Sequence, residues 1–274
     1  MNLIRILFLL VLFSCSSSSN EKYFLDLTSS DSTLYNKGMN LIKKKEFTEA
    51  VEVFNELELQ HPYSKWASRG QLMAGFALYK SKKYDEAILN LSKFVELNPN
   101  HPLMAYAIYL KGYSYYERMP DISLDQKYSL KASEVFSELI NRFPKSAYAK
   151  KSKKHLLILK NQLAAKEMSI GKYYQEQGNY LSGIKRYKTI LKEYQKTAQI
   201  PESIYRLVEC YISIGLRAQA LYLYSILDYN FSKTKWKKEA KDLLIKYKVN
   251  TDKQKLKKRE LNIDKLKPGD FDLI

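Results

Sequence analysis

Small and apolar residues recur at fixed steps along the chain. In the clearest unit, Gly75 is followed by Leu78, by Ala87 twelve residues after the glycine, and by Pro99 twelve residues further on. A residue without a bulky side chain lets a neighbouring helix approach closely, and a proline cannot continue a helix. The pattern therefore predicts two short helices followed by a stop.

The same skeleton recurs over most of the sequence. The other copies are marked by Gly38, Ala50 and Pro62, by Gly112, Ala132 and Pro144, by Gly171 and Gly183, and by Val208 and Ala220. The pattern resembles the tetratricopeptide repeat, a helix-turn-helix unit of about 34 residues. Because one such unit cannot bury its apolar face alone, the predicted fold is all-α: a right-handed solenoid of five tetratricopeptide repeats plus a capping helix, with one long concave surface.

Two irregularities interrupt the repeats. Residues 118–125 are extra within the third unit, and Pro120 prevents them from extending a helix, so we expect a loop between the two helices there. Between Pro144 and Gly171 the chain has fourteen residues more than at the corresponding place in the earlier units. Since fourteen residues make close to four turns at about 3.6 residues per turn, a single long helix is predicted from roughly residue 147 to 177.

The N-terminal residues indicate export and lipidation. Arg5 precedes a short apolar run, Ile6 to Phe13, which is too short to span a bilayer. The stretch Leu12-Phe13-Ser14-Cys15 resembles the bacterial lipobox, whose cysteine is acylated after cleavage. We expect residues 1–14 to be a lipoprotein signal peptide and residues 15–30 to hold the acylated Cys15 and a tether. An uncleaved anchor or an ordinary secretory signal remain the alternatives.

The rest of the chain divides by composition. The five repeats take up residues 31–232, a capping helix is predicted at 233–248, and a basic tail follows at 249–274. The capping helix is predicted because Trp236, Ala240 and Leu244 fall on one stripe. The second cysteine, Cys210, is interpreted as a packed core thiol.

Charge and motifs narrow the function. A net charge of +17 would favour binding to nucleic acid, but a lipoprotein exported from the cytoplasm does not encounter nucleic acid. No nucleic-acid partner is therefore expected. The chain has no glycine-rich phosphate loop and no His or Cys cluster with metal-ligand spacing. The three histidines are interpreted as turn or surface residues. We therefore expect no enzyme, no catalytic residue, no cofactor and no metal.

One set of repeat positions is predicted to face the concave groove. In the first three repeats this set is rich in aromatic side chains with a few cations, which suits an apolar, aromatic peptide that carries a carboxylate. Ordinary packing against the next helix is the alternative for the tyrosines. The predicted peptide-binding residues are Tyr35, Arg69, Phe76, Tyr79, Lys80, Tyr106, Tyr109, Tyr113 and Tyr116.

Local stretches resemble the BamD family of outer-membrane assembly lipoproteins. They are Leu97-Asn98-Pro99-Asn100-His101-Pro102, Arg142-Phe143-Pro144-Lys145-Ser146-Ala147-Tyr148, and Tyr173-Tyr174 before Gly178-Asn179-Tyr180. The resemblance covers about residues 31 to 230.

The resemblance implies a non-enzymatic subunit of the β-barrel assembly (BAM) complex. Such a subunit is lipid-anchored at the periplasmic face of the outer membrane. Its first repeats would bind unfolded β-barrel precursors and its last repeats would dock the periplasmic domains of BamA, with other BAM lipoproteins as further partners. By the same resemblance, Arg186, Tyr173 and Tyr174 are BamA-docking residues. The alternative is another envelope scaffold, either Tol-Pal-associated or a secretin or pilus-assembly lipoprotein.

Overall fold

The computed structural model describes residues 29–250 and Ile263, and every regular element of more than one residue in that range is an α-helix. The eleven helices of this range are α1 (Asp31–Lys44), α2 (Phe47–Gln60), α3 (Lys65–Lys80), α4 (Tyr84–Leu97), α5 (Met104–Tyr116), α6 (Lys127–Arg142), α7 (Ala147–Glu176), α8 (Tyr180–Glu193), α9 (Ile200–Ser213), α10 (Arg217–Asn230) and α11 (Lys235–Lys246). The predicted all-α class is confirmed.

The helices form five antiparallel pairs and one additional helix. Each odd-numbered helix packs against the even-numbered helix that follows it, and α11 packs against α9 and α10. First helices of neighbouring pairs also contact one another, as α1 does with α3, α3 with α5, and α5 with α7. Stacked helical pairs of this kind are the repeat architecture that the sequence predicts.

The close-packing role of the small residues has a direct structural cause. A Cβ atom added at Gly38 would lie 2.6 Å from the ring of Phe54, and one added at Gly75 would lie 2.6 Å from Leu91. Both partners lie on the second helix of the same pair and are fully buried. The glycine marks the point where the two helices of a pair touch.

The long helix α7 connects the third and fourth pairs. It has 30 residues, and the Ser146 side chain accepts a hydrogen bond from the Ala149 N–H at its start. Leu159 in its first half packs with Phe136 of α6, and Met168 in its second half shares a core with Ile184 of α8. At about 1.5 Å per residue it is about 45 Å long. The single long helix expected from the fourteen surplus residues is therefore present.

The extra residues of the third unit form the expected loop between α5 and α6. This loop is tied to α7, because Gln162 Nε2 donates to the Pro120 carbonyl at 2.8 Å and Lys166 Nζ donates to the Ser123 carbonyl at 2.9 Å. At its start, Arg118 pairs with Asp85 of α4 and lies 4.1 Å from the ring centroid of Tyr128. The loop thus joins the second, third and fourth pairs.

Several predicted segments lie outside the described residues. They are the signal peptide at 1–14, Cys15 with most of its tether, and all of the basic tail after Asn250 except Ile263. Between residues 29 and 250, no helix combines the length and the apolar character needed to cross a membrane.

Candidate functional site

Four predicted groove tyrosines form a continuous row of rings. Tyr109, Tyr113 and Tyr116 lie four and three residues apart on α5, so they share one face of that helix. Ring centroids are 5.7 Å apart for Tyr109 and Tyr113 and 5.6 Å apart for Tyr113 and Tyr116, and both pairs are stacked. Tyr79 of α3 joins the row, 5.7 Å from Tyr113.

His155 of α7 completes this group, which we call the tyrosine cluster (Tyr79, Tyr109, Tyr113, Tyr116 and His155). The imidazole meets Tyr113 and Tyr116 edge-on at centroid distances of 5.0 and 4.9 Å. Its Nε2 atom lies 3.4 Å from the Tyr109 hydroxyl. The sequence analysis did not include His155 in the site. A signal for His155 is nevertheless present in the sequence. It lies seven residues after Tyr148 on the predicted long helix, so both side chains lie on the helix face that packs against the third pair.

Burial shifts the pKa values of several members of the tyrosine cluster toward their uncharged forms. Burial, together with nearby Glu117, raises the pKa of Tyr113 to about 12, and burial also raises the pKa of Tyr79. Burial lowers the pKa of His155. The Tyr79 and Tyr113 phenols therefore stay protonated and can donate hydrogen bonds, while the imidazole is neutral at pH 7. The surface is a half-buried aromatic wall whose hydroxyl groups suit an amphipathic peptide.

The other predicted groove residues lie in different surroundings. Tyr35 packs on Trp66 at a centroid distance of 4.7 Å, and the Arg69 guanidinium lies 5.3 Å from the same indole. The ring centroids of Tyr106 and Tyr148 of α7 are 5.2 Å apart. Tyr106 therefore packs against the next helix, which is the alternative to peptide binding for these tyrosines. Phe76 is half-buried against the core of the second and third pairs, and Lys80 is exposed at the end of α3.

Two aromatic groups thus occupy the first half of the groove. One contains Tyr35, Trp66 and Arg69, and the other is the tyrosine cluster. Trp66 was not predicted as a site residue, although it lies three residues before Arg69 on α3 and so falls on the same face. Arg69 holds a positive charge beside an aromatic surface, an arrangement that can meet a carboxylate.

The predicted docking residues lie on both helices of the fourth pair, and the rings of Tyr173 and Tyr174 meet edge-on at a centroid distance of 5.8 Å. Arg186 of α8 makes an ion pair with Glu167 of α7, at 3.2 Å between Nη1 and Oε2. Tyr174 lies two turns after Glu167 on the same face of α7. Tyr173 is exposed and lines a cleft of about 590 Å³ together with Lys172, Glu202 and Ile122 of the extra loop.

The predicted groove positions of the fourth and fifth repeats carry a network of charges beside one stacked aromatic pair, Tyr205 on Trp236 at a centroid distance of 5.3 Å. Arg206 donates to Glu209 at 2.8 Å, Lys172 pairs with Glu202 at 2.6 Å, and Gln175 Nε2 donates to Glu209 at 3.1 Å. Each charge in this network faces an opposite one. At the predicted groove positions, the continuous row of rings is therefore confined to the third repeat and its neighbours, and paired charges predominate in the fourth and fifth repeats.

Cys210 is packed in the core of the last two pairs. It is fully buried, and burial raises the pKa of its thiol to about 12. A thiol that keeps its proton is a poor nucleophile and a poor metal ligand. Among residues 29–250 and 263, no group of three or more His, Cys, Asp or Glu side chains could hold a metal ion.

Comparison with known proteins places this architecture in a family. Residues 28–226 match the YfiO family, described as outer membrane lipoprotein. The chain is 37% identical over 211 residues to the outer membrane protein assembly factor BamD of Caulobacter vibrioides, covering 77% of this chain and 69% of the relative. It is 34% identical over 238 residues to BamD of Rickettsia prowazekii, covering 87% of this chain and 94% of the relative.

Among solved structures, the chain is similar to the TPR2AB-domain:pHSP90 complex of yeast Sti1. The TM-score is 0.39 at 14% identity, over 80% of this chain and 85% of the other. The family assignment rests on the sequence matches, which span most of the described repeats. The chain belongs to the family of outer membrane lipoproteins that includes the assembly factor BamD.

Proposed function

We propose that this protein is a lipid-anchored outer membrane protein assembly factor that receives unfolded β-barrel precursors in the first half of its groove and docks BamA with its second half. The family membership supports the assembly role. The division of labour is our interpretation of the change in groove chemistry at α7.

The tyrosine cluster is the observation that carries the proposal. A precursor's targeting strand alternates apolar and polar residues and ends in an aromatic side chain with a free carboxylate. Such a strand needs rings on one side and a cation near its end. Tyr109, Tyr113 and Tyr116 offer stacked, half-buried rings, and Arg69 and Lys80 lie on α3, the neighbouring first helix.

The test is a titration with a fluorescent peptide that carries a C-terminal targeting strand. Tyr109→Ala with Tyr113→Ala removes the centre of the stacked row. Because an aromatic contact contributes about 0.5 to 1.5 kcal/mol beyond burial, we expect about tenfold weaker binding. The matched control is Tyr63→Ala with Tyr229→Ala, which removes two exposed rings that lie in a turn and near the end of α10.

A second arm of the titration tests the cation. The same peptide amidated at its C-terminus, or Arg69→Gln in the protein, should also weaken binding, since either change removes one charge of the pair. Full affinity for the amidated peptide and for the tyrosine double variant would show that the strand binds elsewhere. The rings would then serve only to pack α5 on α7.

Anchoring is a separate part of the proposal. Acylation of Cys15 would hold the protein stably on the outer membrane, because several acyl chains act together. Intact-mass measurement of protein extracted from membranes should give a chain that begins at an acylated Cys15. A chain that still carries Met1, or an unmodified Cys15, would contradict the lipid anchor without affecting the peptide titration.

A further inference from the structure

Seven helix ends form one edge of the first three pairs. Because each helix runs back along the one before it, α1, α3, α5 and α7 begin at this edge, and α2, α4 and α6 end there. Contacts join neighbouring turns along it. The Ser29 carbonyl lies 2.9 Å from His61 Nε2, and the rings of Tyr106 and Tyr148, near the starts of α5 and α7, are 5.2 Å apart. We call this surface the anchor edge and define it as residues 29–31, 61–69, 96–103 and 142–154.

The anchor edge is strongly basic. Its four segments hold eight Lys or Arg and two acidic residues, Asp31 and Glu96. The opposite edge of the same pairs, at residues 43–49, 80–86 and 117–127, holds eight Lys or Arg and seven acidic residues. The positive charge is therefore concentrated on one of the two edges.

Most cations of the anchor edge have no carboxylate partner. Lys145, Lys150, Lys151, Lys153 and Lys154 are all exposed, and none makes an ion pair with a residue between 29 and 250. A surface whose cations are unpaired attracts an anionic surface over a distance close to the Debye length.

Exposed apolar side chains lie among these cations. The Tyr63 ring is fully exposed in the turn between α2 and α3. Leu97 and Leu103, on either side of the next turn, are 61% and 46% exposed. At the level of lipid headgroups, such side chains bury apolar atoms while neighbouring lysines stay beside the phosphates. The edge therefore matches the chemistry of an anionic membrane surface.

The last two pairs lie farther back than this edge. The Ala198 N–H, in the turn after α8, donates to Asn161 Oδ1 at 3.0 Å. Asn161 comes fourteen residues after Ala147, the first residue of α7, which is about 21 Å along the helix. The first half of α7 therefore sets the turn after α8 about 20 Å behind the anchor edge.

We propose that the anchor edge lies on the bilayer surface and binds the headgroups of anionic phospholipids. The proposal rests on the acylation of Cys15 proposed above, and Ser29 comes fourteen residues after that cysteine. Fourteen residues span at most about 46 to 50 Å, so the anchor keeps the protein near the bilayer without selecting the face that meets it. The charge and the exposed apolar side chains select the anchor edge. The groove of the first three pairs then lies next to the membrane, while α7 holds the last two pairs away from it.

The test places a fluorophore at one position of the acylated protein in vesicles. A bimane label is attached to Tyr63→Cys on the anchor edge, or to Lys82→Cys in a turn of the opposite edge. Cys210 is fully buried and stays unlabelled. The vesicles contain phosphatidylglycerol and a phosphatidylcholine that carries a doxyl quencher on its acyl chain. The doxyl group should quench the label at position 63 and leave the label at position 82 bright.

Charge reversal tests whether the cations hold the edge on the lipid. Lys145→Glu with Lys150→Glu should lower the ratio of quenched to unquenched label at position 63 at least about tenfold. The reason is that each lysine lost near an anionic surface weakens the attraction about fivefold. Lys43→Glu with Lys44→Glu, at the opposite edge, is the matched control and should leave the ratio unchanged. Vesicles without phosphatidylglycerol should reproduce the loss in the parent protein.

Failure of the anchor and failure of the edge give different results. Protein that does not float with phosphatidylcholine vesicles lacks the lipid anchor, which would contradict the anchoring and the orientation together. If the protein floats but positions 63 and 82 are quenched alike, or if charge reversal leaves quenching at position 63 unchanged, the anchor stands and the edge proposal is wrong. A label at position 63 that stays bright on vesicles, with crosslinks from that position to another protein in envelope membranes, would show that an acidic protein covers the edge instead.

Discussion

At the scale of single residues, the close approach of paired helices depends on glycine. Gly75→Leu forces a side chain into Leu91, which is fully buried, so the variant should unfold at lower urea concentration. Overpacking of this kind costs about 1 to 3 kcal/mol. Glu176→Ala, at an exposed position near the end of α7, is the control and should leave the midpoint nearly unchanged. Equal midpoints for the two variants would contradict the repeat register.

Arg186 has a partner within the chain, and this changes how its role can be tested. If Arg186 contacts an acidic group of BamA, it must leave Glu167 or bridge both carboxylates. Arg186→Glu should then weaken co-purification with BamA about thirtyfold, about 2 kcal/mol, because attraction becomes repulsion. Glu167→Gln removes the competing carboxylate and should keep or strengthen the complex.

The pair of variants separates docking from packing. If the ion pair only holds α7 to α8, both substitutions break it and should weaken the BamA complex alike. Equal losses in the two variants would therefore remove Arg186 from the docking surface. An unchanged complex in Arg186→Glu would remove it as well.

His155 gives the tyrosine cluster a pH dependence. Burial holds the pKa of His155 below its ordinary value of about 6.5, so the unfolded chain binds the proton more readily than the folded one. Stability should therefore fall as the pH drops below about 6.5. Urea titrations between pH 7 and 5.5 should show a shallower fall for His155→Gln than for the parent protein. The pH dependence of stability that remains in His155→Gln includes a contribution from His101, whose pKa is also lowered by burial.

At the scale of helices and loops, the extra loop of the third pair owes its position to α7. Gln162→Ala with Lys166→Ala removes the two α7 side chains that donate to loop carbonyls. Amide hydrogen exchange over residues 119–125 should become faster, while global stability should fall by only about 1 kcal/mol, because each bond contributes a modest net amount. Lys160→Ala is the matched control on the same helix. Unchanged exchange in the double variant would show that the contacts of Arg118 and the hydrogen bonds from Gln126 to the Asp121 and Leu124 carbonyls are enough to hold the loop.

The sequence predicts the helices better than it predicts which side chains of different helices contact each other. The spacing of Gly75 and Ala87 predicts a helical pair because close packing requires small residues at fixed positions. The fourteen surplus residues before Gly171 predict a long helix because the helical period is fixed. The pairing of Arg186 with Glu167, and the position of His155 among the tyrosines, depend on how α7 lies across two pairs. That packing brings together residues distant in sequence, which no local period encodes.

At the scale of the whole molecule, the buried core of the described residues falls into four clusters, and α7 separates the cluster of the last two pairs from the other three. The core of the last two pairs contains Leu207 and extends from the second half of α7 to Ile263. The core around the second and third pairs contains Leu139. In a stack where each pair contacts only its neighbours, stability is close to a sum of local terms. A mutation in the core of the last two pairs should therefore destabilise mainly those pairs, and a mutation in the core of the second and third pairs should destabilise mainly the first half of the stack.

Matched leucine substitutions test this separation. Leu207 and Leu139 are both fully buried, and replacing either with alanine costs about 2 to 5 kcal/mol. Leu207→Ala should speed amide hydrogen exchange in α8 to α11 and leave α1 to α4 close to the parent protein. Leu139→Ala should leave exchange in α8 to α11 close to that of the parent protein and speed it in the helices before them, most of all in α5, α6 and the first half of α7. Uniformly faster exchange throughout both variants would show one cooperative unit, in which case α7 would couple the two halves of the groove rigidly.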